Sequence, residues 1–578
     1  MRLQEYWGVG PKTAEQLTST LGTAAAVTAI ESGDVRSLTE AGLPRGRATT
    51  ILRRAAGDEG MAVLATRDTR AVYKELLALV SDYAVTDRAA DQIAVLTPLR
   101  DRPAIEARLD AVEAAVDSWQ SLPDTTRDEV VAVFDQYESL AGDRAAVKAA
   151  IALQETGAEG GIFDRLAEVD VAVLEEAVEA MSHLEGGEVV DGADAELDRL
   201  RSTLAGVERL EGSAFDVLEA IRERGVHGGD EFEQAVVQYL AGETDIDLDT
   251  IRRAAPDAAA DAADFVGSTL RTLVADLRES VDTREAAVAD DLTATLDDAQ
   301  DAIAAAVDAV DHVTLFVSLA RFAIDLDLTR PTIVEDGDAV AVEDARNLGV
   351  ATAEGETVQP VSYAIGEHGL KGPPSGEQVA VVTGANSGGK TTLLETCCQV
   401  ALLAAMGLPV PAERAEVSRF DAIVFHRRHA SFNAGVLEAT LKSVVPPLTA
   451  GGRTLMLVDE FEAITEPGSA ASLLHGLVTL AVDRGSLGAF VTHLAADLEP
   501  LPDDARIDGI FAEGLDGDLE LVVDYQPRFH TVGRSTPEFI VSRLVADARD
   551  PSDRVGFEAL AETLGGEVAQ RSLEENWQ

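Results

Sequence analysis

Only two cysteines, Cys397 and Cys398, occur in 578 residues, and they are adjacent. Neighbouring residues on a helix point apart, so the pair excludes a disulfide framework and a cysteine-based metal site and reads as two small buried apolar residues. Aromatic residues make up 4% of a chain that is 46% hydrophobic. Its cores must therefore be assembled from Ala, Val and Leu, as in a largely helical protein. Long apolar runs are missing too. The longest charge-free stretch, Thr396 to Ala412, contains Gln399, Gly407, Pro409 and Pro411, and reads as a buried helix running into a turn; no membrane span or membrane partner is expected. The opening residues (Arg2, Gln4, Glu5, then a Gly/Pro turn) do not have the form of a secretory signal, and a cytoplasmic location is expected.

Lysine is scarce, with six residues against 41 arginines, and 103 acidic residues outnumber 47 basic ones for a net charge of −56. Such a charge repels nucleic acid and destabilises the compact state through self-repulsion. The acids are nevertheless interleaved with apolar residues at helical spacing, which excludes a disordered acidic tail. A cytosol with molar salt reconciles the two, because screening then acts within about 3 Å. The composition resembles that of proteins from extreme halophiles, so the charge reports habitat and says little about partners.

Residues 1–60 depart from this background, with seven basic and seven acidic residues. Two similar units lie inside: Trp7-Gly8-Val9-Gly10-Pro11-Lys12-Thr13-Ala14 and Ala41-Gly42-Leu43-Pro44-Arg45-Gly46-Arg47-Ala48. Each reads as an apolar helix end, a tight glycine turn and a second helix. The pair resembles a double helix-hairpin-helix module, which implies DNA-phosphate contacts from the turn N–H groups and the following helix N-terminus. Gly8, Gly10, Lys12, Gly42, Arg45, Gly46 and Arg47 are the expected DNA-contact residues, and such contacts carry little sequence information.

Residues 61–330 read as long helices. Apolar residues follow helical spacing in Arg165–Leu184 and in Ala104–Val116. Breaks near Gly186-Gly187, Gly225 to Gly229 and Pro256 set off a small clamp-like segment near 186–260. From about 331 the texture changes to short β-type runs (Thr332–Val334, Asp338–Val342, Gln378–Thr383) alternating with helices, as in an α/β domain with a mostly parallel sheet.

Within that domain the strand Gln378–Thr383 runs into Gly384-Ala385-Asn386-Ser387-Gly388-Gly389-Lys390-Thr391 and then a helix over Thr392–Val400. A glycine-rich loop between strand and helix closes its backbone N–H groups around phosphates. Lys390 is expected at the β and γ oxygens, and the Thr391 hydroxyl on Mg²⁺. The buried strand Thr454–Val458 ends in Asp459-Glu460, at the mouth of the sheet where ligands bind. Asp459 is expected to hold Mg²⁺, directly or through water, and Glu460 to polarise the attacking water. A third strand, Ala489–Thr492, ends at His493, placed to sense the γ-phosphate or to orient the water.

Together these residues resemble the MutS family of DNA-repair ATPases. The resemblance covers the α/β domain nearly end to end. It rests on the loop Thr383 to Thr392, on Gly407-Leu408-Pro409-Val410-Pro411-Ala412, and on Asp459-Glu460 with Thr465 and Gly468. Val491-Thr492-His493 and the stretch from Gly533-Arg534-Ser535 to Arg543-Leu544-Val545 also match. Leu96-Thr97-Pro98-Leu99 and Ile105 to Val112 resemble, more weakly, the start of the lever domain. Residues 384–392 are then the ATP-binding set, and the resemblance implies a homodimer whose sites are completed in trans and a helical clamp that closes on DNA. The chain departs from the family at Asn433-Ala434-Gly435, where a Ser-Thr-Phe run is usual, and at Phe461-Glu462-Ala463-Ile464, which lacks the usual glycines. The first phenylalanine is Phe134, so mismatch recognition by an N-terminal Phe wedge is not expected, and neither is a C-terminal nuclease module.

The expected architecture is multidomain, α and α/β. A helix-hairpin-helix module spans 1–60 and a helical core and lever 61–330. A phosphate-loop ATPase domain of ABC type spans 331–548, with a helical tail at 549–578. The expected function is that of an ATP-gated dimeric clamp on structured or damaged DNA, with ATP and Mg²⁺ as cofactors; a partner nuclease is left open. Two alternatives are a scaffold of the chromosome-maintenance type, which calls for a Leu-Ser-Gly-Gly signature and long heptad arms, and a DNA-junction adaptor with a vestigial ATPase.

Overall fold

The computed structural model describes the chain except residues 1–2, 32, 138–141, 226–228, 354, 356, 385–388, 429–433, 462–466, 516–520, 534–540, 542–543, 546–547, 549, 551 and 561–578. It divides into two compact units, one of residues 1–135, 159–163 and 311–578, the other of 136–158 and 164–310. Residues 61–135 and 311–330, which the sequence groups with the lever, thus belong to the same unit as the α/β part. The tail expected at 549–578 and the signature position Asn433 fall largely or wholly outside the described residues, as do Thr465, Arg534, Ser535 and Arg543.

In the first unit, residues 3–62 form four helices (Pro11–Leu21, Thr23–Glu31, Val35–Glu40 and Arg45–Ala62) around their own core of Val9, Leu17, Ile30, Leu38, Ile51 and Leu52. Among the described residues a single 3-10 turn, Leu3–Glu5, stands before the first glycine turn and the helix Val35–Glu40 before the second. Gly8 and Gly42 have φ of +80° and +90°, a backbone that side-chain-bearing residues rarely adopt. The two turns are tied to each other: Gln16 donates to the Ala41 carbonyl (2.8 Å) and Arg47 to the Thr13 hydroxyl (2.8 Å).

Among the described residues the α/β part holds ten strands: β1 (Thr332–Val334), β2 (Ala339–Ala345), β3 (Val361–Gly366), β4 (Val379–Gly384), β5 (Arg414–Ser418), β6 (Ala422–His426), β7 (Thr454–Asp459), β8 (Leu487–Val491), β9 (Ala505–Leu515) and β10 (Leu521–Arg528). Six form one sheet in the order β10-β9-β4-β8-β7-β6, parallel throughout except for the edge strand β10. The other four form a smaller sheet, β1-β5-β2-β3, with β1 and β5 parallel and the other pairs antiparallel. The inner strands of the large sheet are apolar along their whole length because helices cover both faces. Val379–Val382, Leu455–Val458 and Leu487–Val491 are all buried. The helix Lys390–Ala405 packs its Leu394, Cys397, Ala401 and Leu402 into the larger core with Val382, Leu457 and Val491, so both cysteines are buried apolar residues.

The second unit is helical. A helix of 37 residues, Ala262–Asp298, about 55 Å long at 1.5 Å per residue, runs along it. Helices Ala195–Gly212, Ala214–Glu223, Asp230–Glu243 and Leu248–Ala254 share an apolar core with its N-terminal half through Val207, Leu218, Val236, Ile251, Phe265 and Leu270. Arg284 on the long helix pairs with Asp194 (2.7 Å), which also caps Ala195–Gly212 and is held down to about 2 by that guanidinium. One expectation is corrected here and one is extended. The stripe over 165–184 is not one helix: Asp170 accepts from the N–H groups of Ala172 and Val173 and restarts the chain as Val171–His183, after the short turn Asp164–Ala167. Gly186-Gly187 does not merely break a helix; it turns a two-residue hairpin, Leu184–Glu185 against Glu188–Val189. Among the described residues one helix, Gln300–Asp325, is long and apolar enough to cross a membrane by length and composition, although the sequence leads to no such expectation. Its residues 311–325 bury Val313, Val317, Leu319 and Phe322 inside the first unit.

Candidate active site

Parallel strands place their C-terminal ends at one edge of the sheet, and β4, β6, β7 and β8 end there in turn. Register aligns Val491 with Val382 on one side and with Asp459 on the other. The Glu460 N–H donates to the Val491 carbonyl (3.1 Å) and the Thr492 N–H to the Val382 carbonyl (3.1 Å), so the three tips are tied together just past the last ladder pairs.

Gly384 leaves β4 with φ +131°, and a Cβ there would collide with the carbonyl of Ile510 on β9. Gly389 re-enters in the left-handed region (φ +71°) and starts the helix Lys390–Ala405. Ala385, Asn386, Ser387 and Gly388, expected to complete the phosphate-binding loop, lie outside the described residues. Lys390 is buried and its Nζ donates to the Gly384 carbonyl (3.0 Å), across the base of the turn. Thr391 donates its hydroxyl to Asp459 Oδ2 (2.7 Å), joining two motifs 68 residues apart. The Thr392 carbonyl accepts from Asn347 (3.4 Å) and from the Thr396 hydroxyl (2.8 Å).

Burial pushes the Asp459 carboxyl above the usual carboxylate range. The Thr391 hydroxyl opposes this, Glu460 adds to it, and the Arg428 backbone N–H and Lys390 oppose it further. Its second oxygen, Oδ1, is buried with no hydrogen-bond partner among the described residues. A buried anionic oxygen in that condition fits a cation. With the Thr391 hydroxyl beside it, the pair suits Mg²⁺, which takes one or two protein oxygens and leaves the remaining positions to phosphate and water. Glu460 has φ +41° and is held at both oxygens, Oε1 by His493 Nε2 (3.1 Å) and Oε2 by Arg428 Nη1 (2.7 Å).

The structure therefore gathers Gly384, Gly389, Lys390, Thr391, Asp459, Glu460 and His493. It also adds residues that motif spacing does not reveal. Arg428 stands two residues past β6; its only trace in the sequence is the doublet Arg427-Arg428 after a buried strand in a chain poor in base. Tyr525 on β10 lies against the turn, so that a Cβ on Gly389 would be 2.8 Å from its ring; nothing local marks this half-exposed tyrosine. Gly533 donates its N–H to the Thr383 hydroxyl (2.6 Å) and packs on Gly384.

The N-terminal residues behave differently. Gly8, Gly10 and Lys12 line the first turn and helix start, and Gly42 and Gly46 the second. Arg45, however, pairs with Asp91 (2.5 Å) and Arg47 bonds within the module, so both guanidiniums already have partners inside the chain.

Fold and site first define a class: a mixed helical and α/β protein with a mostly parallel sheet and a lysine, a threonine and two acids converging on one glycine turn. A family model described as MutS domain V matches residues 380–445, from β4 through β6 into the helix Ala434–Thr449. The chain is 45% identical over 225 residues to the DNA-binding protein MutS2 of Pyrococcus furiosus, a match covering 39% of each chain. It is 28% identical over 449 residues to the DNA mismatch repair protein MutS of Salinibacter ruber, covering 69% of this chain and 47% of that one. It is also 28% identical over 330 residues to an Endonuclease MutS2 of Thermomicrobium roseum, covering 53% and 40%. Over part of its length the chain is thus similar to proteins of the MutS family, and residues 380–445 match that family's domain V. It matches less than half the length of each of these relatives.

Proposed function

We propose that this chain binds ATP with Mg²⁺, hydrolyses it, and uses the cycle to open and close a homodimeric clamp on structured or damaged DNA in repair or recombination. The observation that carries the reading is the Thr391–Asp459 hydrogen bond beside a buried lysine, which brings the end of the glycine turn and the acidic strand tip into one site. Lys390 is positioned to exchange the Gly384 carbonyl for phosphate oxygens. Thr391 and Asp459 would hold Mg²⁺, which neutralises charge on the phosphates when bound. Glu460 takes the proton of the attacking water as the new O–P bond forms and the bond to ADP breaks, and His493 keeps its carboxylate oriented. The half-exposed Tyr525 ring offers the base a stacking surface next to the turn. DNA contact is assigned to the two glycine turns of residues 1–60, with Lys12 exposed at the first.

Lys390→Ala is expected to abolish MgATP binding. Glu460→Gln should keep binding and lose turnover by at least a hundredfold, the scale of a general base. Calorimetry and a phosphate-release assay in molar KCl, with and without branched DNA, test both. Normal hydrolysis by E460Q sinks the assignment, and no turnover by the unmodified chain with any DNA favours the adaptor reading.

A further inference from the structure

The residue proposed to activate water is engaged at both oxygens in this structure. His493 holds one oxygen of Glu460 and Arg428 the other, so one lone pair on each oxygen is taken and a water that is to give up its proton must compete with a cation for the carboxylate. The two partners of the Arg428 ion pair are anchored unequally: the Glu460 side chain is 10% exposed and that of Arg428 56%. The Glu460 backbone is further fixed by its N–H bond to Val491. Arg428 lies two residues past the end of β6, and its guanidinium reaches across to Glu460. A long, exposed side chain based there can swing its fork without moving the strand tips.

The other anion that this mouth is built to receive is a terminal phosphate. A planar guanidinium matches phosphate oxygens in a bidentate way, and a γ-phosphate carries more charge than the single carboxylate oxygen it would replace. We propose that Arg428 reads the third phosphate. With ATP in place its guanidinium leaves Glu460 for the γ-phosphate, and its departure opens one carboxylate oxygen to the attacking water. With ADP, which lacks that phosphate, Arg428 stays on Glu460 and the base stays capped. The assignment rests on the ATP reading above and deepens it: one residue of the same chain couples nucleotide discrimination to release of the base.

The test uses the full chain in molar KCl with Mg²⁺, titrated with a non-hydrolysable ATP analogue and, separately, with ADP. Arg428→Ala should weaken the analogue about tenfold, the scale of a charge-assisted phosphate contact, and leave ADP affinity within about twofold. In the same variant Glu460 is uncapped but the γ-phosphate loses the guanidinium that stabilises its transition-state charge, so kcat should fall at least tenfold; millimolar free guanidinium should restore part of it, with Arg428→Lys intermediate in both readouts. An analogue-to-ADP affinity ratio unchanged in R428A overturns the assignment, and so does a kcat that guanidinium does not raise. If the unmodified chain binds neither nucleotide, the ATP reading itself fails, an outcome that the wild-type titration alone reveals.

Discussion

Asp459 is buried at the end of β7, accepts one hydrogen bond from Thr391, and has its other oxygen without a partner among the described residues. Because burial raises its carboxyl relative to the unfolded chain, ionisation is less favourable in the folded state, and at neutral pH the charge weighs against folding. Asp459→Asn is therefore expected to raise the melting temperature of the nucleotide-free protein while removing the response of nucleotide binding to Mg²⁺. Differential scanning calorimetry, with Mg²⁺ titrations at fixed nucleotide, checks both, and a lowered melting temperature would contradict the sign. A second buried charge behaves otherwise. Arg506 on β9 is matched by Asp508 (3.0 Å) and Glu377 (3.3 Å), donates to the Ala364 carbonyl, and stacks on Tyr363 and Phe529. Asp508 in turn accepts from Tyr363 (3.1 Å) and from the His530 N–H (3.2 Å). Nothing in the sequence marks this network, because its members come from four separate segments and each is an ordinary residue in an acidic chain.

Among elements, the strand–turn–helix at 379–405 was the most legible, for a physical reason. A run of buried β-branched residues, a glycine turn and a helix are all local consequences of composition. The boundaries moved by a residue or two: the helix begins at Lys390, and β7 includes Asp459. The stripe over 165–184 was misread because periodicity registers the apolar face and does not see a cap; Asp170 interrupts the helix without interrupting the spacing. The segment after β10 was legible only as a likeness. Its role emerges from packing, since a Cβ on Gly533 would lie 2.8 Å from Gly384 Cα and 2.8 Å from the Thr383 carbonyl oxygen. Gly533→Ala is accordingly expected to push this segment off the turn, costing roughly 1–3 kcal/mol of stability as overpacking. It should also weaken MgATP binding, which calorimetry would register; unchanged stability and affinity together would show that the close approach is dispensable.

For the whole molecule the dominant quantity is the net charge of −56. Ion pairs such as Arg330 with Glu106, Asp110 and Glu113 gather several acids around one base, yet 47 cations cannot neutralise 103 anions. Self-repulsion must be relieved by solvent ions. The melting temperature is expected to rise steeply between 0.2 M and about 3 M KCl, where screening shortens to a few ångströms or less. A thermal shift series measures this, and a flat response would remove the halophilic interpretation. The division into units is equally a property of the whole chain. Residues 61–135 continue a run of helices with no change of composition at 135, yet Val72, Leu76 and Leu109 share a core with the α/β strands, a partition that local spacing does not carry.

The chemistry of the candidate site was determined by sequence alone: a glycine turn ending in Lys390-Thr391, an acidic pair after a buried strand, a histidine after another. Such motifs are written in neighbouring residues, and neighbours share a strand or a turn whatever the rest of the chain does. Only the tertiary structure decided which oxygen of Asp459 meets Thr391, that Arg428 and His493 close over Glu460, and that Tyr525 and Gly533 flank the turn. Those relations depend on strand order and register, which arise from packing the entire sheet and leave no imprint on local spacing.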